Sequence, residues 1–168
     1  MKKKSLILIL IILLVLVYFK AIRPYRQEED IKVELTNKWN VDISEIDKLK
    51  TMKTSKPQWH GEHHKFILFE SDSDSELSYI QANDLLSHKM SSDIKERIIE
   101  IEDDLEIKKE ERIDFADDYY YAKRIKHIVR RSSEAKKDIL YIILVKGHDN
   151  AKIYLIEDLN VLDLERSF

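Results

Sequence analysis

The apolar run near the start of the chain restricts its fate more than any other feature. Lys2, Lys3 and Lys4 precede an unbroken apolar stretch from Leu6 to Val17, which Tyr18 and Phe19 close and Lys20 ends. A helix with no polar face cannot sit between a core and water; it must be buried all round or lie in lipid. A positive start followed by such a stretch is read by the export machinery as a signal sequence or a signal anchor. Ser5 to Phe19 makes a helix of about 22 Å, shorter than a hydrocarbon core of about 30 Å. Extension to Ile22 gives about 27 Å, with Lys4 and Lys20 reaching out toward headgroups. Tyr18 and Phe19 then fall at the interface, where aromatic rings are favoured.

Residues 18–26 read YFKAIRPYR and hold no small-x-small pair for a signal peptidase, and the chain has no cysteine for a lipoprotein anchor. We therefore expect residues 1–26 to be a membrane anchor with its flanks. Residues 27–168 then form a single extracytoplasmic domain, with secretion after cleavage as the alternative. Three lysines precede the segment and Lys20, Arg23 and Arg26 follow it. The α-amino group tips the balance toward a cytoplasmic N-terminus.

The basic flanks conceal how acidic the rest of the chain is. The chain has 29 basic and 32 acidic side chains; six of the basic ones, and no acid, lie at or before residue 26. The remainder carries 23 against 32, a formal charge of −9. A domain so acidic is a poor binder of nucleic acid, because that affinity comes mostly from neutralising phosphates. The absence of cysteine removes disulfides, thiolate catalysis and zinc–thiolate sites, and suits the envelope of a Gram-positive bacterium. Phosphate-cradling loops need several glycines close together, and Gly61 and Gly147 stand alone.

Periodicity places the elements. Arg23-Pro24-Tyr25 reads as a break. Ile31, Leu35 and Trp39 form one stripe, which predicts an amphipathic helix over 27–39. Residues 41–54 alternate weakly and suggest a strand, or a loop with one strand. Pro57 to Glu62 is a turn, His64 to Glu70 a strand, and Ser71 to Glu76 a polar turn. Residues 77–88 read as helical toward their end. Ser92 is a candidate N-cap for a helix from Asp93 to about Glu110, with Ile94, Ile98, Ile101 and Leu105 as its apolar stripe. Asp118 to Arg131 fits strand through its tyrosines and helix through Tyr121, Ile125, Ile128 and Val129. Ile139 to Val145 and Ala151 to Asp158 pair as a hairpin. The predicted fold class is α+β: a small antiparallel sheet with two to three helices, packed on one face.

Three stretches together carry a resemblance. Trp59-His60-Gly61-Glu62 resembles the "FHGDG" turn of a family of small uncharacterised Gram-positive bacterial proteins, and Asp118 to Tyr121 resembles that family's "GYYFF" strand. Ile139 to Val145 with Ile153 to Asp158 resembles its closing hairpin. The resemblance spans residues 40–160. Glu62 and His63 replace the family's Asp and Gly, and Lys123-Arg124-Ile125 stands where it carries "DRH". The family has no assigned activity, so what the resemblance implies is the fold.

Few clusters carry chemistry. His60, Glu62, His63 and His64 bring imidazoles and a carboxylate within five residues, a donor set that suits Zn or Cu. The spacing is not H-E-x-x-H, and on a strand His63 and His64 point to opposite faces, so only one could join His60. A polar turn accounts for the same residues. Asp72 to Glu76 begins like a calcium loop but lacks its glycine and its final acid, having Leu77 and Asn83, and reads as a solvated turn. The basic residues Lys123, Arg124 and Lys126, beside Tyr119 and Tyr121, form a candidate binding patch for an anionic partner. Salt bridges to the acidic helical stretch 100–111 are the alternative use of those cations. No serine sits in a nucleophile elbow. The sequence thus points to a non-catalytic interaction module with a protein partner at the cell envelope. A metal-binding protein or metal-dependent enzyme is the competing class.

Overall fold

The computed structural model describes residues 11–16, 18, 23–41, 43, 46, 48–57, 62–71, 90–116, 118–128, 136–146 and 150–162. The chain divides into two compact units, Met1–Ser44 and Glu45–Phe168.

In the first unit, residues 11–16 are helical, and Ile11 to Leu16 are each between 48% and 62% exposed. Among the described residues no helix is long and apolar enough to cross a membrane. The expected span, 5–22, falls partly on residues 1–10, outside the described ones. Helix α1 covers Arg23–Trp39 and buries the predicted stripe Ile31, Leu35 and Trp39. It starts earlier than the sequence suggests. Pro24 lies in its first turn, where no backbone donor is needed, so the proline opens the helix and does not break it. Asn40 ends it in the left-handed region (φ 54°), its N–H donating to the Thr36 carbonyl at 2.9 Å.

In the second unit the described strands form one antiparallel sheet of five: β1 (Lys48–Thr54), β2 (His63–Ser71), β3 (Tyr119–Ile128), β4 (Lys136–Lys146) and β5 (Ala151–Leu162). Their order is β1-β2-β5-β4-β3. Composition explains the order. β2, β5 and β4 have continuous apolar centres, and a strand with apolar side chains on both faces belongs inside a sheet buried on both. β1 carries Lys48, Lys50 and Lys53, and β3 carries Lys123, Arg124 and Lys126, the usual protection of an edge. The ambiguity over 118–131 resolves as strand, because β3 pairs with β4 along its whole length.

Helix α2 (Ser92–Asp104) packs on one face of the sheet. Ile98, Ile101 and Leu105 join Phe66, Leu68, Tyr121, Tyr141, Tyr154 and Ile156 in a single apolar cluster. Full burial of Ile98 and Ile101 stabilises the packing by about 2 kcal/mol each. The N-cap is Ser91, one residue before the expected Ser92. The helix also stops well short of Glu110. Glu106 takes a left-handed φ of 50°, its N–H donating to the Asp103 carbonyl and the Ile107 N–H to Glu102, both at 2.9 Å. Those two bonds make a Schellman stop with glutamate where glycine is usual, and it buries Ile107 beside Ile101. A 3-10 turn, Lys109–Glu111, follows.

Candidate functional site

Strand alternation sets the polar groups. β2 begins at His63, so His64 shares the face of Phe66 and Leu68 while His63 takes the other. The β2–β5 register puts His64 directly opposite Asp158. Both side chains are buried, with Nδ1 and Oδ1 3.1 Å apart, within ion-pair distance but without hydrogen-bond angle. Helix α2 lies over the pair. Its Arg97 grips Asp158 with two bonds, Nε to Oδ2 at 2.9 Å and Nη2 to Oδ1 at 3.1 Å, and reaches Glu100 with Nη1 at 3.0 Å. Two turns further on, the exposed Asp104 comes within 3.7 Å of His64 Nε2.

Burial alone would raise the Asp158 carboxyl, but the imidazole of His64 and the guanidinium of Arg97 together hold it below the ordinary carboxylate range. The same bonds raise Arg97 against its own burial. Tyr141, buried near Asp158, is pushed up by desolvation first and by the carboxylate second, so its hydroxyl stays protonated. Both ring nitrogens of His64 face carboxylates, so neither is presented to a substrate. The cluster clasps a helix to a sheet.

A second buried carboxylate behaves in the opposite way. Glu102 Oε1 accepts the Ile113 N–H at 2.9 Å, and desolvation pushes the group up to about 7 despite that bond and the nearby Arg112. Arg112 in turn donates to the Ile107 carbonyl at 2.9 Å and pairs with Asp103. Together these bonds tie the loop after α2 to the helix.

Of the residues singled out as metal ligands, the three described ones do not converge on one point. Glu62 and His63 are half-buried at the start of β2, His64 is engaged under α2, and His60 lies outside the described residues. Among the described residues no three His, Cys, Asp or Glu side chains are placed to hold a metal ion. The 72–76 turn and the 77–88 helix also lie outside them.

The expected binding patch divides. Tyr121 is buried in the apolar cluster, and Tyr119 packs against it edge-on to Phe115 at 5.9 Å. Lys95 lies 5.4 Å above the Phe115 ring and 5.2 Å above Tyr119. The tyrosines therefore serve the core. Arg124 is half-buried, which lowers its pKa. Lys123 and Lys126 are exposed and make no ion pair among the described residues. The acids of α2 do not answer them: Glu100 pairs with Arg97, Asp103 with Arg112, and Asp104 with His64.

Sequence reasoning did not find Arg97, Glu102, Asp104 or Asp158. A signal existed for two of them. Asp158 lies two residues beyond the apolar run Ile153 to Ile156, in step with the core-facing Tyr154 and Ile156, and Arg97 adjoins the apolar stripe of α2. A charge in either place needs a buried partner.

Comparison of the chain with protein-family models, with curated proteins and with solved structures finds no match.

Proposed function

We propose that this chain is a membrane-anchored, extracytoplasmic interaction module, acting without catalysis, whose protein partner docks at the β3 edge of the sheet. One observation carries the proposal. β3 is an edge strand of an acidic domain, yet it bears Lys123, Arg124 and Lys126 and no acid. Cations set against the charge of their own domain steer and select a partner of the opposite sign. The anchoring half rests on the lysines before Ser5 and on the helical, exposed Ile11 to Leu16, whose side chains suit lipid better than water.

The test uses the full chain in intact cells of the source bacterium, with a photo-reactive residue at Ile125 on β3 or at Met52 on β1. A discrete crosslinked species at Ile125 and none at Met52 is expected, in the membrane fraction, with the domain open to protease added outside. Equal crosslinking at both positions would sink the docking site. Recovery in the cytosol or the medium would sink the anchor.

A further inference from the structure

The partner's conformation follows from how β3 presents its backbone. The Lys146 N–H donates to the Asp118 carbonyl at 3.3 Å, in register with the β3–β4 pairing. In an antiparallel ladder, residues alternate between those bonded to the neighbour and those turned away from it. Asp118 is bonded to β4, so the N–H and C=O groups of Lys123 and Ile125 are directed to the outside. Among the described residues no strand lies there.

The side chains select the occupant. Ile125 is 44% exposed and stands between Arg124 and Lys126. A second copy paired antiparallel over this stretch would set Arg124 against Lys126 when centred on Ile125, and Arg124 against itself when centred on Arg124. Like charges directly opposite are destabilising, so the edge rejects itself. An acidic strand meets no such penalty.

We propose that β3 binds an extended acidic segment of the partner by strand addition, with acids opposite Lys123, Arg124 and Lys126 and an apolar residue opposite Ile125. In the antiparallel sense that segment reads acid–apolar–acid–acid. Main-chain bonds to Lys123 and Ile125 supply affinity, and the side-chain pattern supplies selection. The inference rests on the β3 edge being the docking site and adds the partner's class and conformation.

The full chain in detergent is titrated at low ionic strength with a peptide of about ten residues carrying that pattern, long enough to match the strand. Binding is expected, with slowed hydrogen exchange at the Lys123 and Ile125 amides. The K123E/K126E variant is expected to weaken binding about tenfold, since two favourable cross-strand pairs become repulsive. A peptide of the same sequence with N-methylated backbone nitrogens is expected not to bind. Equal binding of the N-methylated peptide, or unprotected Lys123 and Ile125 amides at saturation, would overturn strand addition and leave the basic edge as a contact surface. Failure of the plain peptide to bind while crosslinks from Ile125 persist in cells would likewise overturn it. Loss of those crosslinks is the separate failure of the docking site.

Discussion

The two edges of the sheet are both rich in lysine, and the molecule uses them differently. On β1, Lys50 pairs with Glu70 at 3.1 Å, Thr51 donates to Glu111 at 2.8 Å, and Lys53 donates to the Leu105 carbonyl at 3.1 Å and to that of Glu106. Lys53 thereby caps the C-terminus of α2, where a cation meets the negative end of the helix dipole. On β3, Lys123 and Lys126 make no such ion pair among the described residues, and Ile125 is left between cations. Composition alone would give both edges the same role. What separates them is the chain that runs beside them: the loop after α2 passes β1 and offers it carbonyls and carboxylates. A charged edge is a structural fastener where the fold supplies its counter-groups; where the described residues supply none, as at Lys123 and Lys126, its cations are left for the proposed partner.

The largest expected effect breaks the fastened side at its root. D158A leaves the Arg97 guanidinium and the His64 imidazole under α2 without their shared carboxylate. Removing one partner of a buried pair costs about 3–5 kcal/mol, measured by chemical denaturation of the full chain in detergent. D158N keeps the shape and one acceptor, and is expected to fall between D158A and the parent. A loss below about 1 kcal/mol for D158A would mean that the clasp does not hold α2, and the edges could not then be told apart by what α2 offers them.

Glu102 sharpens the same side through pH. Its folded-state pKa of about 7 lies above the ordinary 4.5. A carboxyl raised in this way binds its proton more tightly when folded. The stability it contributes is complete below pH 4.5 and is lost as pH rises through about 7. Asp158 has the opposite sign: its depressed pKa gives stability that is lost as pH falls through the folded value. E102Q is therefore expected to flatten the stability profile between pH 5 and pH 8. It should exceed the parent at pH 8 by at most about 3 kcal/mol and match it near pH 4.5. An E102Q profile as steep as the parent's would place the titration elsewhere.

The central strands are legible in the sequence because their apolar runs leave them no other place than inside a sheet. Phe66 to Phe69 and Ile139 to Val145 need no tertiary information. β3 is less legible: its tyrosines favour a strand while Tyr121, Ile125 and Ile128 also fit a helical stripe, and only pairing with β4 decides. The end of α2 is hidden because its left-handed stop is Glu106, not glycine. The clasp is hidden for a different reason. His64 and Asp158 meet through the β2–β5 register, and Arg97 arrives from a helix between them in sequence. No local pattern encodes a contact among three elements. The cluster of His60, Glu62, His63 and His64 is conspicuous in the sequence because it is local, and strand alternation parts His63 from His64.

The smallest expected effect tests the two edges against each other directly. K53A removes a cation from the α2 C-terminus and leaves the Leu105 and Glu106 carbonyls without it, an expected loss of about 1 kcal/mol. K123A/K126A removes two cations from β3 and is expected to change stability by no more than about 0.5 kcal/mol, the usual range for surface positions without a structural partner. The sign adds weight. Taking positive charge from a domain already at −9 increases its self-repulsion, so any small change should be a loss. Salt separates that general term from a specific one, since roughly 0.5 M salt shortens the screening length to a few ångströms and should erase it. A loss in K123A/K126A as large as that in K53A, and resistant to salt, would show that the β3 lysines hold the fold together, and the edge would then have no cations to spare for a partner.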